Sequence, residues 1–190
     1  MHKLSSTFFI FAGLLLASLS SAPAQTDPDK PAARVSLGKV DVDFQYGKLT
    51  PGLWHLIGRV KMTTENYDLT GEDLSIVFAG GKAGASSLAK ATANGNPAAG
   101  IQVHANIRQP LQGQAYVITA DHAVYLPDNS RRGGGSMTFT GHVKIVTKSG
   151  FLAEPSVSTT DRATLLLGAD TILYPQLETG PAHITLTPAQ

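Results

Sequence analysis

The chain carries a short pattern that recurs and changes phase in its middle. Leu69-Thr-Gly-Glu-Asp-Leu-Ser-Ile76 matches Ile118-Thr-Ala-Asp-His-Ala-Val-Tyr125, and both match Leu167-Gly-Ala-Asp-Thr-Ile-Leu-Tyr174. Glu72, Asp121 and Asp170 follow one another at intervals of 49 positions, and Phe151-Leu-Ala-Glu154 is a partial further copy. Before the acid the apolar positions are Leu69, or Ile118 and Ala120, or Leu167 and Ala169. After it they are Leu74, Ile76 and Phe78, or Ala123 and Tyr125, or Ile172 and Tyr174. Side chains alternate strictly along a strand, so an unbroken strand cannot put both sets on one face. One extra residue at the slip, as a β-bulge or corner, restores a common face. The small residue before the acid leaves room for that bend.

A second pattern accompanies it. Trp54-His-Leu-Ile-Gly-Arg-Val-Lys-Met-Thr-Thr64 aligns with Met137-Thr-Phe-Thr-Gly-His-Val-Lys-Ile-Val-Thr147. Leu56, Val60 and Met62 share one parity with Phe139, Val143 and Ile145; Arg59, Lys61, His142 and Lys144 share the other. A weaker echo is Leu177-Glu-Thr-Gly180-Pro-Ala-His-Ile184-Thr-Leu186. The repeated unit reads as strand, turn and bent strand. Stacked units give a curved, two-walled sheet with an apolar interior.

The remaining segments set boundaries. Lys3, the apolar run Phe8–Leu19 and the small-x-small triplet Ala22-Pro23-Ala24 read as a secretory signal over 1–24. The run is short for a membrane span, which takes about 20 apolar residues; an uncleaved N-terminal anchor is the alternative. Residues 25–34 read as a polar linker and 35–190 as the folded domain. Ala79–Gly100 reads as a long mobile connection with room for a short helix at Ser86–Ala93, and Asp128–Gly135 as a tight hairpin loop. The edges of the sheet are expected at Val40–Phe44 and Ala182–Thr187, where partner strands could add.

Composition narrows the function. Loss of 1–24 leaves 14 basic and 14 acidic residues, which argues against nucleic acid as a partner. Cysteine is absent, so disulfides and thiolate chemistry are excluded. His55, His104, His122, His142 and His183 lack zinc-type spacing. Glu72, Asp121 and Asp170 read as bend residues and not as a metal or catalytic set, since a cation needs several converging oxygens. No nucleophile elbow or P-loop is present. No cofactor, metal site or catalytic residue is expected. Arg131 and Arg132, with Lys61 and Lys144, are candidate phosphate contacts, but the parity of the two lysines favours a solvated outer face.

The alternation of Gly-x-Val-x-Ile strands with Ile-x-Ala-Asp-x-Ala-x-Tyr strands, clearest over Gly58–Phe78 and Ala115–Ile145, resembles the OstA-like, LptA-type family of lipopolysaccharide-transport periplasmic domains. The resemblance spans Val35–Thr187. It implies an all-β fold, an open, twisted β-jelly-roll. It further implies a non-enzymatic periplasmic protein that holds acyl chains of lipopolysaccharide or a related amphiphilic lipid in an apolar groove. Head-to-tail self-association or pairing with other OstA-like envelope proteins is implied as well. The groove lining would be Leu56, Val60, Met62, Leu74, Ile76, Phe78, Tyr125, Phe139, Val143, Ile145, Ile172 and Tyr174. The same residues suit the closed core of a structural envelope protein with no lipid cargo. A jelly-roll carbohydrate enzyme is the weakest reading, because no carboxylate pair stands out.

Overall fold

The structure is a computed structural model describing residues 33–83, 88–109, 114–128, 134–148, 154–167, 176–179 and 183–185. Strands β1 (Ala33–Leu37), β2 (Val40–Phe44) and β3 (Tyr46–Leu49) lead into the long strands β4 (Leu53–Thr63) and β5 (Tyr67–Phe78). Four shorter strands follow: β6 (Leu88–Asn94), β7 (Val103–Gln109), β8 (Gln114–Ala120) and β9 (His122–Asp128). The long strands β10 (Gly134–Lys148) and β11 (Ser156–Leu167) come next, then β12 (Gln176–Thr179) and β13 (His183–Thr185). All belong to one antiparallel sheet.

The β4–β5 ladder shows how that sheet folds over. It runs from Leu53↔Val77 to Ile57↔Asp73, then resumes at Val60↔Gly71. Gly58 and Arg59 therefore oppose Glu72 alone, the two-against-one count of a bulge. Both have left-handed backbone, with φ of 84° and 47°. Burial in β4 keeps its parity through Trp54, Leu56, Val60 and Met62, whereas β5 switches between Leu69 and Leu74. The β10–β11 ladder repeats this arrangement. It skips from Thr140↔Arg162 to Val143↔Thr160, and Gly141 and His142 have φ of 75° and 49°.

The strands between these corners obey the same division. The second half of β5 pairs with β6 and its first half with β7. The two ends of β10 likewise pair with β9 and β8. So β6 with β7, and β8 with β9, each act as one strand broken at the corner. The first break holds a 3-10 turn, Pro97–Ala99, capped by the Asn96 side chain and closed by Gly100 in left-handed backbone. The second break is Asp121 itself. Its N–H donates to the Gly141 carbonyl at 2.9 Å, and its own carbonyl accepts from Gly95 N–H at 2.8 Å.

Aligned corners divide the sheet into two facing walls. Wall one contains β3, the first half of β4, the second half of β5, β6, β9, the first half of β10 and the second half of β11. Wall two contains β1, β2, the second half of β4, the first half of β5, β7, β8, the second half of β10 and the first half of β11. The inward side chains of both walls form one hydrophobic core. The chain is all-β and two-walled, as its repeats imply, and forms the jelly-roll that the resemblance implies.

Several local expectations are corrected. The Ala79–Gly100 stretch is no simple connection, because Leu88–Asn94 is strand β6 in the middle of wall one and not a helix. Small Ala91 and Ala93 fill its inward positions; their low hydrophobicity hid the strand. Val40–Phe44 is no edge, since β1 covers it in full register from Ala33↔Phe44 to Leu37↔Val40. Strand order thus begins at Ala33, inside the segment read as linker. The 49-residue repeat holds for Glu72 and Asp121, which both sit at corners. Asp170 lies outside the described residues. Leu167 ends β11 in wall one, so the third copy is not equivalent and the corner of β11 falls at Asp161. The Asp128–Gly135 hairpin is set by the pair Gly134↔Asp128, and its tip lies outside the described residues.

A Cβ at Gly141 would collide with the Asp121 side chain, whereas one at Gly80 would meet nothing within 4 Å although its φ is 65°. Gly80→Ala therefore bears only the left-handed backbone cost, about 1–2 kcal/mol. Gly141→Ala adds overpacking and should lose about 2–4 kcal/mol. Denaturant unfolding of the two variants checks the difference; equal losses would mean that the corner tolerates a side chain.

At the same corner His142 Nδ1 lies 2.7 Å from Asp121 Oδ2. The hydrogen bond to Asp121, and then its charge, raise the His142 pKa above the ordinary 6.5. This stabilisation is full below that ordinary value and is lost as pH rises through the higher folded value. The wild-type melting temperature should fall slightly from about pH 6 to pH 8. His142→Asn tolerates the backbone but should flatten that fall. Identical pH slopes in the two proteins would show that the pair contributes nothing.

Candidate functional site

Ten of the twelve expected lining residues are described, and all ten point between the walls. Leu56, Leu74, Ile76, Phe78, Tyr125 and Phe139 come from wall one, and Val60, Met62, Val143 and Ile145 from wall two. Ile172 and Tyr174 lie outside the described residues. The ten are packed, with exposures of 7% or less. Tyr67, Leu69, Ile107, Tyr116, Ile118, Met137 and Leu165 are buried in the same interior. The alternation Val103-His-Ala-Asn-Ile107 was the available signal for β7, overshadowed by the Gly- and Ala-rich stretch before it. Trp54 packs inward, edge-on to Phe78 with ring centroids 5.0 Å apart.

The side opposite the corners is the mouth. There the rings of Tyr67 in wall two and Tyr125 in wall one meet at 5.9 Å. The Tyr125 hydroxyl donates to the Gly134 carbonyl at 3.0 Å. That seat needs glycine next door, because a Cβ at Gly135 would lie 2.6 Å from the Tyr125 ring. No ladder among the described residues joins the wall tips across the mouth.

Beside Tyr67 the packing leaves an apolar cleft of about 30 Å³, lined by Leu37, Val40, Met62, Tyr67, Ile76, Leu88 and Ala91. Tyr67 is 8% exposed, and burial drives its pKa upward. Its hydroxyl has no hydrogen-bond partner among the described residues. A buried polar group left this way costs about 1–3 kcal/mol.

Charge lies outside. On wall two Arg34 pairs with Asp43 at 2.5 Å and Arg108 with Asp68 at 2.6 Å. These hydrogen bonds hold both carboxyls below their ordinary pKa. Arg108 also donates to the Thr64 carbonyl, tying the β4–β5 turn to β7. Lys61 and Lys144 are exposed on this outer face, away from the interior; Arg131 and Arg132 lie outside the described residues. His122 contacts Asn94, which contacts Asp73, in a polar row across the corner strands. No group of three metal-ligating side chains occurs among the described residues. No described helix is long and apolar enough to cross a membrane.

No protein-family model matches the chain, and no curated protein matches its sequence. Among solved structures it is similar to LptH, the LptA homologous periplasmic component of the conserved lipopolysaccharide transport device from Pseudomonas aeruginosa. The two share 9% identity over 78% of this chain and 95% of that one, with a TM-score of 0.53. At that identity the likeness is one of fold: the chain has the two-walled β-jelly-roll architecture seen in LptH.

Proposed function

We propose that this protein is a non-enzymatic lipid-transfer module of the periplasm that holds acyl chains of lipopolysaccharide, or a similar amphiphile, between its walls. The observation that carries this reading is the asymmetry between corner and mouth. Backbone hydrogen bonds such as Gly95 to Asp121 and Asp121 to Gly141 cross the corner, whereas among the described residues the mouth shows the apolar Tyr67–Tyr125 contact and no ladder between the walls. Parting the walls at the mouth therefore breaks no ladder among the described residues, and an inserted hydrocarbon chain restores the lost contacts. Burial of each methylene is worth about 0.8 kcal/mol, enough to hold a chain of a dozen carbons. The shared fold with LptH supports the reading, as does the apparent secretory signal. Sheet ends at β1 and β13 offer strand edges for head-to-tail association with a second copy or another jelly-roll.

The tight packing favours a second reading, a structural envelope protein with a permanently closed core. Mass spectrometry of the chain purified from envelope fractions separates the two. The transfer reading expects a co-purifying acylated amphiphile, and enhanced fluorescence of an added apolar dye that the amphiphile displaces. A lipid-free protein that excludes the dye until it unfolds would establish the closed core. Phe139→Ala supplies a second arm. It should cost about 3–5 kcal/mol of stability, yet increase dye uptake if the interior admits ligands.

A further inference from the structure

The cleft beside Tyr67 carries a chemical signature. Among its lining residues only Tyr67 carries a side-chain hydroxyl, and that buried group lacks a partner among the described residues. Native proteins seldom leave such a group unsatisfied, and buried tyrosines ordinarily find an acceptor. Tyr125, across the mouth, does so through Gly134. A resident water fits the volume poorly in chemical terms, because a buried water takes two to four polar partners and this lining offers one. The missing partner must bring a single acceptor and otherwise be apolar. A carboxylate would be buried without a cation in the lining, which is costly. An alcohol would add a donor with nothing to accept it. A neutral carbonyl attached to a hydrocarbon chain meets every condition and accepts a hydrogen bond more strongly than an ether oxygen does.

We propose that the Tyr67 hydroxyl donates a hydrogen bond to the ester or amide carbonyl at the root of one acyl chain, which enters between the β1–β2 turn and the start of β6. This seat rests on the lipid-transfer reading. It adds a selectivity that apolar packing lacks: the site distinguishes an acyl linkage from an alkyl ether and from a free fatty acid. Leu37 and Val40 on one lip and Leu88 on the other flank the chain as it enters, while Met62 and Ile76 lie along its path.

The test is calorimetric titration of the full chain with monomeric 1-lauroylglycerol, its ether analogue 1-O-dodecylglycerol, and laurate. Wild-type protein should prefer the ester over the ether by about 3–10-fold, the range of a single neutral hydrogen bond, and should bind laurate more weakly than the ester. Tyr67→Phe should bind ester and ether equally, at the affinity of the ether. Without ligand its melting temperature should be unchanged or higher, since no native hydrogen bond is lost. Equal affinities for ester and ether in the wild type, or an ester preference that survives in Tyr67→Phe, would overturn the seat and leave lipid transfer standing. A lowered melting temperature of Tyr67→Phe with no ester preference would assign the hydroxyl to a resident water. Tighter binding of laurate would overturn the neutral carbonyl. Failure of wild type to bind any of the three would refute lipid transfer and the seat together.

Discussion

Two residues facing one across a ladder hold this architecture in shape. At Gly58-Arg59 against Glu72, and at Gly141-His142 against Asp161, left-handed backbone adds a residue to one strand and shifts the inward parity of the other. Without that shift, half of every long strand would turn its apolar side chains to water. With it, a single sheet covers its own inner face. Arg59 and His142 bear left-handed backbone without being glycine, a strain of about 1–3 kcal/mol at each position. The burial of both strand halves offsets it. Asp121 receives and donates backbone hydrogen bonds on both sides and packs against a glycine.

Corner and mouth are consequently unlike in mechanics. Backbone hydrogen bonds run through the corner from strand to strand, and polar contacts such as Asp121–His142 and Asp73–Asn94–His122 lie along it. Among the described residues, the contacts at the mouth are between rings and aliphatic chains. Apolar contacts are non-directional and can be exchanged for contacts of the same kind, so a ligand with hydrocarbon tails is the natural competitor for them. On the transfer reading proposed above, the few polar atoms of the interior matter most in deciding what enters.

The outer surfaces extend the asymmetry. Wall two carries cross-strand ion pairs, whereas wall one exposes Leu53, Val77, Leu126 and Leu166 among hydroxyl side chains. Exposed ion pairs of this kind contribute about 0–1 kcal/mol each, so the fold depends on the core between the walls. The inner face of β11 in wall two is itself partly polar, with Ser156 and Thr160 buried. Its corner was illegible from hydrophobic pattern for that reason: no apolar alternation precedes Asp161, so no change of phase shows.

Local physics made much of this legible. Period-2 alternation placed the strands, and the slip at Glu72 and Asp121 located two corners, because side-chain parity is a property of the chain itself. The pairing of Gly58 with Gly141 in the repeat was visible too, since only a residue without Cβ fits beside Gln45 or Asp121 there. Other features depended on neighbours distant in sequence. Strand β6 is fixed by β5 and β9 on its two sides, which admit Ala91 and Ala93 where isolated propensity suggested a helix. The edge at β2 vanished because β1 folds onto it. Sequence parity assigned the inward residues, but how tightly the walls meet, and that Tyr67 lies beside Tyr125 with its hydroxyl unmatched among the described residues, followed only from bringing two walls face to face. Parity is local, whereas the space between two walls is set by every side chain that fills it.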